Sequence, residues 1–453
     1  MDRQRRVRGK FLGVGATLAV ALFAAACSSG SSGSSGGTTA SASGNVTITL
    51  LESQQIRANI LQQLIPQFEP AMAAKGQHIT VKLIKDIVPD DQTLLAEDYS
   101  AGTAPDVADF GISYLPDFAS AGYLLNLTPY LQKWPDWKQF YPSVVSQSTS
   151  PGGAIYGLVH EASTQQIFYR ADVLSKFGIS AQQPQTWNDL IARLQQIKAK
   201  TGQPPLILPA GTAWSAPEQG LYNVLLGTGS QLYDQKTGRW VVNSPGITYV
   251  YNLLTTLKND ALIPTQDLLN PNPWQPTKYV DFPKGTMPVA FQGTWGWQYD
   301  WGTQGTAPIP GLTTKVKTWD FPAEQGSPYA DAIDGYVWAV SGKTQHPQAA
   351  VELSEWLTTG TALADQLAAV GAASPRSGMD NVAPYSGYPE LIQAEQQFST
   401  AKAMNPESNQ GKVDQAFEMG SEAILTGRDS AAQAAALFAQ QANVLLGSSN
   451  VEG

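Results

Sequence analysis

The chain has 453 residues, with 28 Lys and Arg against 37 Asp and Glu, and a formal net charge of −9. Hydrophobic residues make up 42% and charged residues 14%, which allows a large core and excludes wholesale disorder. The acidic balance argues against a nucleic-acid partner, because non-specific binding to DNA or RNA depends on clustered Lys and Arg. A single cysteine excludes a disulfide framework, and His78, His160 and His346 lie too far apart to indicate a metal site. We therefore expect no metal and no cofactor.

The first 26 residues predict a signal peptide. Five basic residues fall within residues 3–10, and the uncharged run FLGVGATLAVALFAAA follows at residues 11–26. This run is short for a membrane-spanning helix of about 20 residues but is typical of a signal-peptide core. It ends at Ala24-Ala25-Ala26-Cys27, which resembles a bacterial lipobox, although Ala24 stands where that pattern prefers Leu. The resemblance implies a lipid on Cys27; an ordinary secretion signal with a chance cysteine is the alternative.

Residues 27–44 form the next predicted segment, a tether. Its sequence from residue 28 is SSGSSGSSGGTTASASG, a composition typical of a flexible coil with an end-to-end distance of roughly 20–25 Å. An acidic protein does not bind anionic lipid unaided, so the lipid itself would hold the folded domain at the outer face of the cell membrane.

From residue 45 onward, strand patterns alternate with helix patterns. The period-2 or β-branched runs predict strands at 46–51, 79–84, 105–110, 165–169, 206–208 and 287–291. The helical spacing of apolar residues predicts helices at 56–72, 92–100, 186–200, 218–226 and 430–446. Thr186 followed by Asp189 predicts a capping box at the start of one helix. The repeated alternation predicts an α/β fold with mostly parallel sheets covered by helices, in two lobes.

A series of short motifs follows this alternation in chain order. They are APDV at 104–107, GYLLNL at 122–127, IYGL at 155–158 with IFYRADVL at 167–174, PQTWNDL at 184–190, FPKGTMPV at 282–289 with GTW at 293–295, DGYVWAV at 334–340 with HPQAA at 346–350, and GAASPR at 371–376. Together they resemble the family 1 extracellular solute-binding proteins of bacterial ABC importers, the group that includes maltose-binding protein. Val159 and Arg170 depart from the Pro and Asn that are usual there.

The resemblance implies a two-lobed periplasmic-binding-protein (Venus flytrap) fold with three hinge crossings. By position these would fall near His160, Thr318 and Ala372, giving one lobe of residues 45–160 plus 319–372 and a second of 161–318 plus 373–453. The lobes would close on a ligand by a hinge motion. The resemblance also implies the function. The protein would be a monomer that delivers its solute to the transmembrane subunits of an ABC permease, and it would not be an enzyme.

A sugar presents hydroxyl groups, which need polar partners, and apolar C–H faces, which stack on aromatic rings. Candidate ligand-binding residues are therefore polar or aromatic residues at the ends of predicted strands, where open α/β sheets bind ligands. From position and resemblance the candidates are Glu52, Gln54, Asp109, Phe110, Glu161, Trp214, Trp295, Trp297, Asp334, Tyr336 and Arg376. Each also has a structural reading: a solvated turn for Glu52, hinge hydrogen bonding for Glu161 and Arg376, and core packing for the tryptophans.

Other functions stay open at this point. A lipid-anchored glycoside hydrolase would need two carboxylates, and a chain with 37 acidic residues supplies pairs by chance. Residues 45–453 have no G-x-S-x-G motif, and the sequence has no H-E-x-x-H or P-loop motif. Three alternatives remain: the chain binds a different polar solute, it binds a peptide, or it is a surface interaction protein that has lost ligand binding. A ligand screen distinguishes among them.

Overall fold

The computed structural model describes residues 45–85, 92–214, 216–324 and 326–453. The predicted signal peptide, the tether and Cys27 lie outside the described residues, so these predictions stay predictions. None of the helices within the described ranges combines the length and the apolar character needed to cross a bilayer.

Strands and helices alternate along the first two thirds of the chain. The strands are β1 Val46–Glu52, β2 Ile79–Lys85, β3 Val107–Gly111, β4 Gly157–Arg170, β5 Leu206–Ile207, β6 Tyr233–Asp234, β7 Arg239–Val241, β8 Val289–Gly293, β9 Val316–Trp319, β10 Asp331–Val340 and β11 Val451–Glu452. The helices are α1 Gln55–Ala73, α2 Gln92–Ala101, α3 Leu115–Ser120, α4 Thr128–Leu131, α5 Pro142–Gln147, α6 Ala171–Lys176, α7 Trp187–Thr201, α8 Leu221–Gly227, α9 Pro245–Asn259, α10 Thr265–Leu268, α11 Phe282–Lys284, α12 Leu312–Lys315, α13 Pro347–Leu357, α14 Gly360–Val370, α15 Pro389–Gln397, α16 Gln410–Leu425 and α17 Ala431–Leu446.

One large sheet organises the described chain. Its strand order is β2-β1-β3-β10-β4-β8-β5, with β9 also paired to β4. Strand β4 is 14 residues long and buried throughout. Most of its length pairs with β10, and its last part pairs with β8 and β9. We call the strands β2, β1, β3, β10 and the first part of β4 the first half-sheet. The last part of β4 with β8, β5 and β9 is the second half-sheet.

The sheet is mixed, which corrects the predicted mostly parallel pairing. β1 is parallel to β2 and β3, and β5 is parallel to β8. β10 is antiparallel to both β3 and β4, and β4 is antiparallel to β8 and β9. The reason is that β4 and β10, which connect the two halves, run in opposite directions and pair directly with each other. Parallel pairing between neighbouring strands would need a long crossover connection, usually a helix.

Three stretches of chain meet where the half-sheets join. Strand β10 pairs with β4 from Asp331 opposite Gln165, and its register shifts before Gly335. A Cβ on Gly335 would fall 2.6 Å from the carbonyl oxygen of Glu161, so the close approach of these strands requires glycine there. The third stretch pairs through Ala373, whose N–H donates to the carbonyl of Ala162 at 2.8 Å.

The hydrophobic cores follow this division of the sheet. Alternate residues of β10 point to opposite faces of the first half-sheet, so Trp338 packs in a cluster with α1 and α13, while Val337 packs in another with Phe110. The second half-sheet packs against α7, α9, α16 and α17 in the largest cluster.

The predicted strands and helices are present, most of them with small changes at their ends. The strand predicted at 165–169 is the last part of β4, which begins eight residues earlier, at Gly157. The predicted capping box is confirmed: the Thr186 hydroxyl accepts the N–H of Asp189 at 3.1 Å, and the Asp189 carboxylate accepts the N–H of Thr186 at 3.0 Å. The helix predicted from residue 218 begins at Leu221, because Pro217–Gln219 forms a separate turn of 3₁₀ helix.

Candidate functional site

A cleft of about 1000 Å³ lies where the two half-sheets join. It is bounded by the loop after β1, the strands β4 and β10, the turn after β8 and the C-terminal end of α14. Its lining residues are Ser53, Gln54, Gln55, Ile56, Arg57, Asn59, Glu161, Ser163, Gln219, Trp274, Trp295, Gln298, Tyr299, Gln304, Gly305, Thr306, Gly335, Tyr336, Ala368, Ala369, Val370, Ala372 and Tyr388.

The loop after β1 brings an amide group into the cleft. The backbone N–H of Gln54 donates to the Glu52 carboxyl group at 2.7 Å, and the Gln54 side-chain amide donates to the hydroxyl of Tyr336. Glu52 itself is buried and lies beneath the cleft rather than lining it. Burial, and then the neighbouring Asp109, raise the pKa of Glu52 well above its ordinary value.

An ion pair forms the floor of the cleft. Arg57, in the first turn of α1, donates to both carboxylate oxygens of Glu161, with Nε at 3.2 Å from Oε2. The guanidinium also lies 3.7 Å from the centre of the Tyr336 ring. Burial works against the charge on Arg57, but Glu161, Tyr336 and Asp109 together raise its pKa well above the ordinary value. Arg57 and Glu161 are thus paired with each other at the floor of the cleft.

A second polar pair lies behind the first. His160 Nε2 is 2.9 Å from Oδ1 of Asp109, and the imidazole stacks on Trp338 with ring centres 4.1 Å apart. Burial lowers the pKa of His160 to about 4, so at neutral pH the ring is neutral and its Nε2–H donates to Asp109. Both residues are buried and neither lines the cleft. They position the floor rather than offer groups to a ligand.

The turn after β8 supplies an aromatic wall. Trp295 is half-buried and lines the cleft. A Cβ on Gly293 would fall 2.0 Å from the Trp295 ring, so the glycine is what lets the indole lie against the backbone. Trp297, two residues later, points away from the cleft and packs on Phe168 with ring centres 4.9 Å apart.

A pair of indoles continues this wall. Trp274 lines the cleft, and Trp214 lies behind it with ring centres 5.3 Å apart. Trp214 is only 4% exposed, so it supports Trp274 and does not itself face the cleft.

Three further candidates lie elsewhere. Phe110 packs in the first half-sheet's core, with its ring 5.2 Å from Phe118. Arg376 is buried and donates to the Thr358 carbonyl at 3.0 Å and to Asp136 at 2.9 Å, which is a bracing role. The side chain of Asp334 lies outside the described residues.

The structure thus brings Gln54, Glu161, Trp295 and Tyr336 together in one cleft. Their roles in ligand binding stay predictions. Several lining residues were not predicted from the sequence: Gln55, Asn59, Arg57, Ser163, Gln219, Trp274, Gln298, Tyr299, Gln304 and Tyr388. Arg57 could have been found, because it follows Gln54 by three residues and so shares the helix face at the N-terminus of α1. Gln55 and Asn59 lie in α1 and Ser163 lies in β4, where their period marks a face of the element but not the cleft. The remaining residues lie in loops and short turns without a periodic signal.

The described residues contain no group of three or more His, Cys, Asp or Glu side chains arranged to hold a metal ion. What the cleft offers is aromatic faces, amides and hydroxyls around one satisfied ion pair.

Comparisons with known proteins agree with this architecture. Residues 63–394 match the family described as bacterial extracellular solute-binding protein. A probable ABC transporter-binding protein of Deinococcus radiodurans is 24% identical over 294 residues, 63% of this chain and 66% of that protein. The arabinooligosaccharide-binding protein of Bacillus subtilis is 26% identical over 163 residues, 35% of this chain and 36% of that protein. The matched segments thus span less than two thirds of the length of either relative.

The fold matches solved structures over most of the chain. The sugar-binding protein MalE from Xanthomonas citri superposes with a TM-score of 0.71 at 20% identity, covering 88% of this chain and 97% of that one. A likeness at this identity establishes the fold, which is the two-lobed α/β architecture of maltose-binding-protein-like receptors. By the family match and the fold, this chain belongs to the bacterial extracellular solute-binding protein family.

Proposed function

We propose that the chain is the substrate-binding protein of an ABC importer, and that it captures a mono- or oligosaccharide in the cleft and delivers it to a membrane permease. The observation that carries this proposal is the lining of the cleft. Among the described residues that line it, only Arg57 and Glu161 are ionic, and they are paired with each other. The rest of the polar lining is amides and hydroxyls.

The aromatic residues suit the apolar faces of a sugar ring. Trp274, Trp295, Tyr299, Tyr336 and Tyr388 all line the cleft. Tyr299 is 41% exposed, although large hydrophobic side chains are usually covered. Exposed rings in a concave surface indicate a ligand that stacks on them, and the C–H face of a pyranose is such a surface.

The amide side chains suit the hydroxyl groups. Each Gln or Asn offers both a donor and an acceptor, as each sugar hydroxyl does. Gln54, Gln55, Asn59, Gln219 and Gln298 line the cleft from both half-sheets. A sugar in the cleft would replace its hydrogen bonds to water with hydrogen bonds to amides from both half-sheets. Binding would therefore favour closure of the two lobes.

The lobes predicted from the sequence are residues 45–160 with 319–372, and 161–318 with 373–453, and we propose one change to them. The pairing of Val316–Trp319 with the last part of β4 supports a later second crossing, at Asp331, where β10 begins. Phe321 and Tyr329 support the same shift, since they pack in the core of the second half-sheet. The hinge then consists of residues 162–164, the start of β10 and residues 372–374.

The relatives support the transport context. One is named as an ABC transporter-binding protein and another as an arabinooligosaccharide-binding protein. The chain works as a monomer outside the cytoplasm, tethered to the outer face of the membrane by a lipid on Cys27, with the permease as its protein partner. The lipobox-like Ala24-Ala25-Ala26-Cys27 supports the anchor.

A thermal-shift screen over mono- and oligosaccharides tests this function. At least one saccharide should raise the melting temperature, since a ligand at 100 times its Kd stabilises the fold by about 2.7 kcal/mol. Chromatography of the same mixture should recover the sugar unchanged. Loss of the sugar with time would instead indicate a hydrolase, and stabilisation only by solutes other than saccharides would overturn the sugar assignment. Labelling with a radioactive fatty acid, compared between the native chain and Cys27→Ser, tests the anchor.

A further inference from the structure

A second cavity, of about 610 Å³, lies beside the cleft and shares none of its lining residues. It is bounded by the turn after β3, the beginning of β10 and the first half of α16. The 3₁₀ turn Pro217–Gln219 contributes to both cavities, because Glu218 lines this cavity and Gln219 lines the cleft.

This cavity is acidic. Four carboxylic side chains line it, Glu218, Asp331, Asp414 and Glu418, and the described lining contains no Lys, Arg or His. We call it the acidic cavity. Asp414 and Glu418 have hydrogen-bond donors from the protein. Asp414 accepts the Tyr222 hydroxyl at 2.8 Å, and Glu418 accepts a backbone N–H.

Asp331 differs from them. Its side chain is 2% exposed, and its Oδ1 atom has no hydrogen-bond partner among the described residues. The backbone of Asp331 pairs with that of Lys402. The Nζ atom of Lys402, however, donates to the Leu226 carbonyl at 3.1 Å and lies 4.3 Å from the centre of the Tyr329 ring. A carboxyl group that is buried, lacks a donor and lines a cavity costs stability unless a ligand supplies the missing partner.

The rest of the lining suits an organic cation rather than a bare ion. Tyr114, Tyr222, Met404 and Met419 contribute aromatic and thioether surfaces, which attract ammonium groups and contact apolar carbons. The volume is that of a small-molecule site. The described acids do not form a metal-binding group.

We infer that the acidic cavity receives the protonated amino group of the captured solute, which is therefore an amino sugar or an oligosaccharide that contains one. The inference rests on the proposed function for the saccharide part and adds the positive charge. Asp331 is the residue that pairs with the ammonium, and Glu418 is a second carboxylate within the same cavity. Burial raises the pKa of Asp331 well above its ordinary value and that of Glu418 to about 8, and a bound cation would reverse both shifts.

The test uses saccharides that differ only at one substituent. Short β-1,4-linked oligomers of glucosamine, glucose and N-acetylglucosamine carry an ammonium, a hydroxyl and a neutral amide at the same carbon. Isothermal titration of the full chain, at a pH at which the amine is protonated, should show the glucosamine oligomer binding about tenfold or more tighter than the other two. The preference should weaken as salt is raised.

Two variants and a control locate the effect. Asp331→Asn should remove the preference for the amine while changing the affinity for the glucose oligomer less than about twofold. Glu418→Gln should reduce the preference for the amine. It replaces Asp331→Asn in this test if Asp331→Asn does not fold. Glu355→Gln is the matched control, because burial also raises the pKa of Glu355, to about 7, yet it lines neither cavity. It should leave the preference unchanged.

The outcomes separate this inference from the proposed function. Equal binding of the three oligomers, or a preference that survives both variants, would overturn the amine assignment and leave sugar binding intact. Binding of the glucosamine oligomer alone would support the inference and restrict the function to amino sugars. If none of the three binds but another neutral sugar stabilises the fold, the amine assignment fails. If no saccharide binds at all, both fail.

Discussion

The cleft and the acidic cavity handle buried charge in opposite ways. In the cleft, Arg57 and Glu161 are paired with each other, and His160 shares a hydrogen bond with Asp109 just behind them. In the acidic cavity, Oδ1 of Asp331 has no hydrogen-bond partner within the part of the chain that the structure describes. The same strand, β10, carries Tyr336 into the cleft and Asp331 into the cavity. We interpret the paired Arg57 and Glu161 as groups that stabilise the fold. We interpret the buried carboxyl group of Asp331, which lacks a donor at Oδ1, as a group that binds a ligand.

The largest expected effect comes from breaking the paired side of this comparison. Arg57→Met leaves Glu161 and Asp109 buried without their shared cation, so the unfolding free energy should fall by about 3–5 kcal/mol. Urea denaturation followed by circular dichroism measures it. Adding Glu161→Gln to Arg57→Met should recover part of the loss. A single variant as stable as the native chain would show that the pair is not a scaffold.

A smaller effect is expected from the aromatic wall. Trp295→Ala should weaken the best saccharide by about 1 kcal/mol or more, a roughly fivefold higher Kd, because a stacking platform is lost. Titration calorimetry measures this. Trp356→Ala is the control, since Trp356 packs on Phe68 and does not line the cleft. Unchanged affinity for Trp295→Ala would assign that indole to packing.

The smallest effect concerns the unpaired side. Burial raises the pKa of Glu418 from 4.5 to about 8, so between these values the folded chain holds this proton more tightly than the unfolded chain does. The contribution of Glu418 to stability is therefore present below about pH 4.5 and is lost as pH rises towards 8. Glu418→Gln should gain stability relative to the native chain across that window. Melting curves of the ligand-free proteins over a pH series measure the difference, and a difference that is flat with pH would refute the shift.

Local signals in the sequence predicted the fold well where structure is local. The capping box at Thr186, the strand β1 and the helix α1 follow from caps and hydrophobic periods. The mixed pairing of the sheet did not, because β10 finds β4 across more than 160 residues of chain, and no local pattern states the direction of such a pair. The alternation of strands and helices and the family resemblance both predicted two lobes, while the three hinge crossings came from the resemblance alone.

The candidate site was predictable only in part. Trp295 and Trp297 are two residues apart in a short turn, and nothing in the sequence tells which of them faces the cleft and which packs on Phe168. Arg376 belongs to a recognisable motif, yet its guanidinium is used within the protein. Trp274 and Tyr388 come from loops whose position depends on the whole fold. A motif thus predicts that a residue matters, while packing decides what it touches.

The most direct test of the central claim is a crystal structure of the chain with the saccharide that stabilises it most. The account predicts a sugar ring in the cleft, stacked on Trp295 and hydrogen-bonded to Gln54 on the opposite side. Density for the sugar outside the cleft and the acidic cavity, or a cleft that stays free of sugar at saturating concentration, would contradict this expectation.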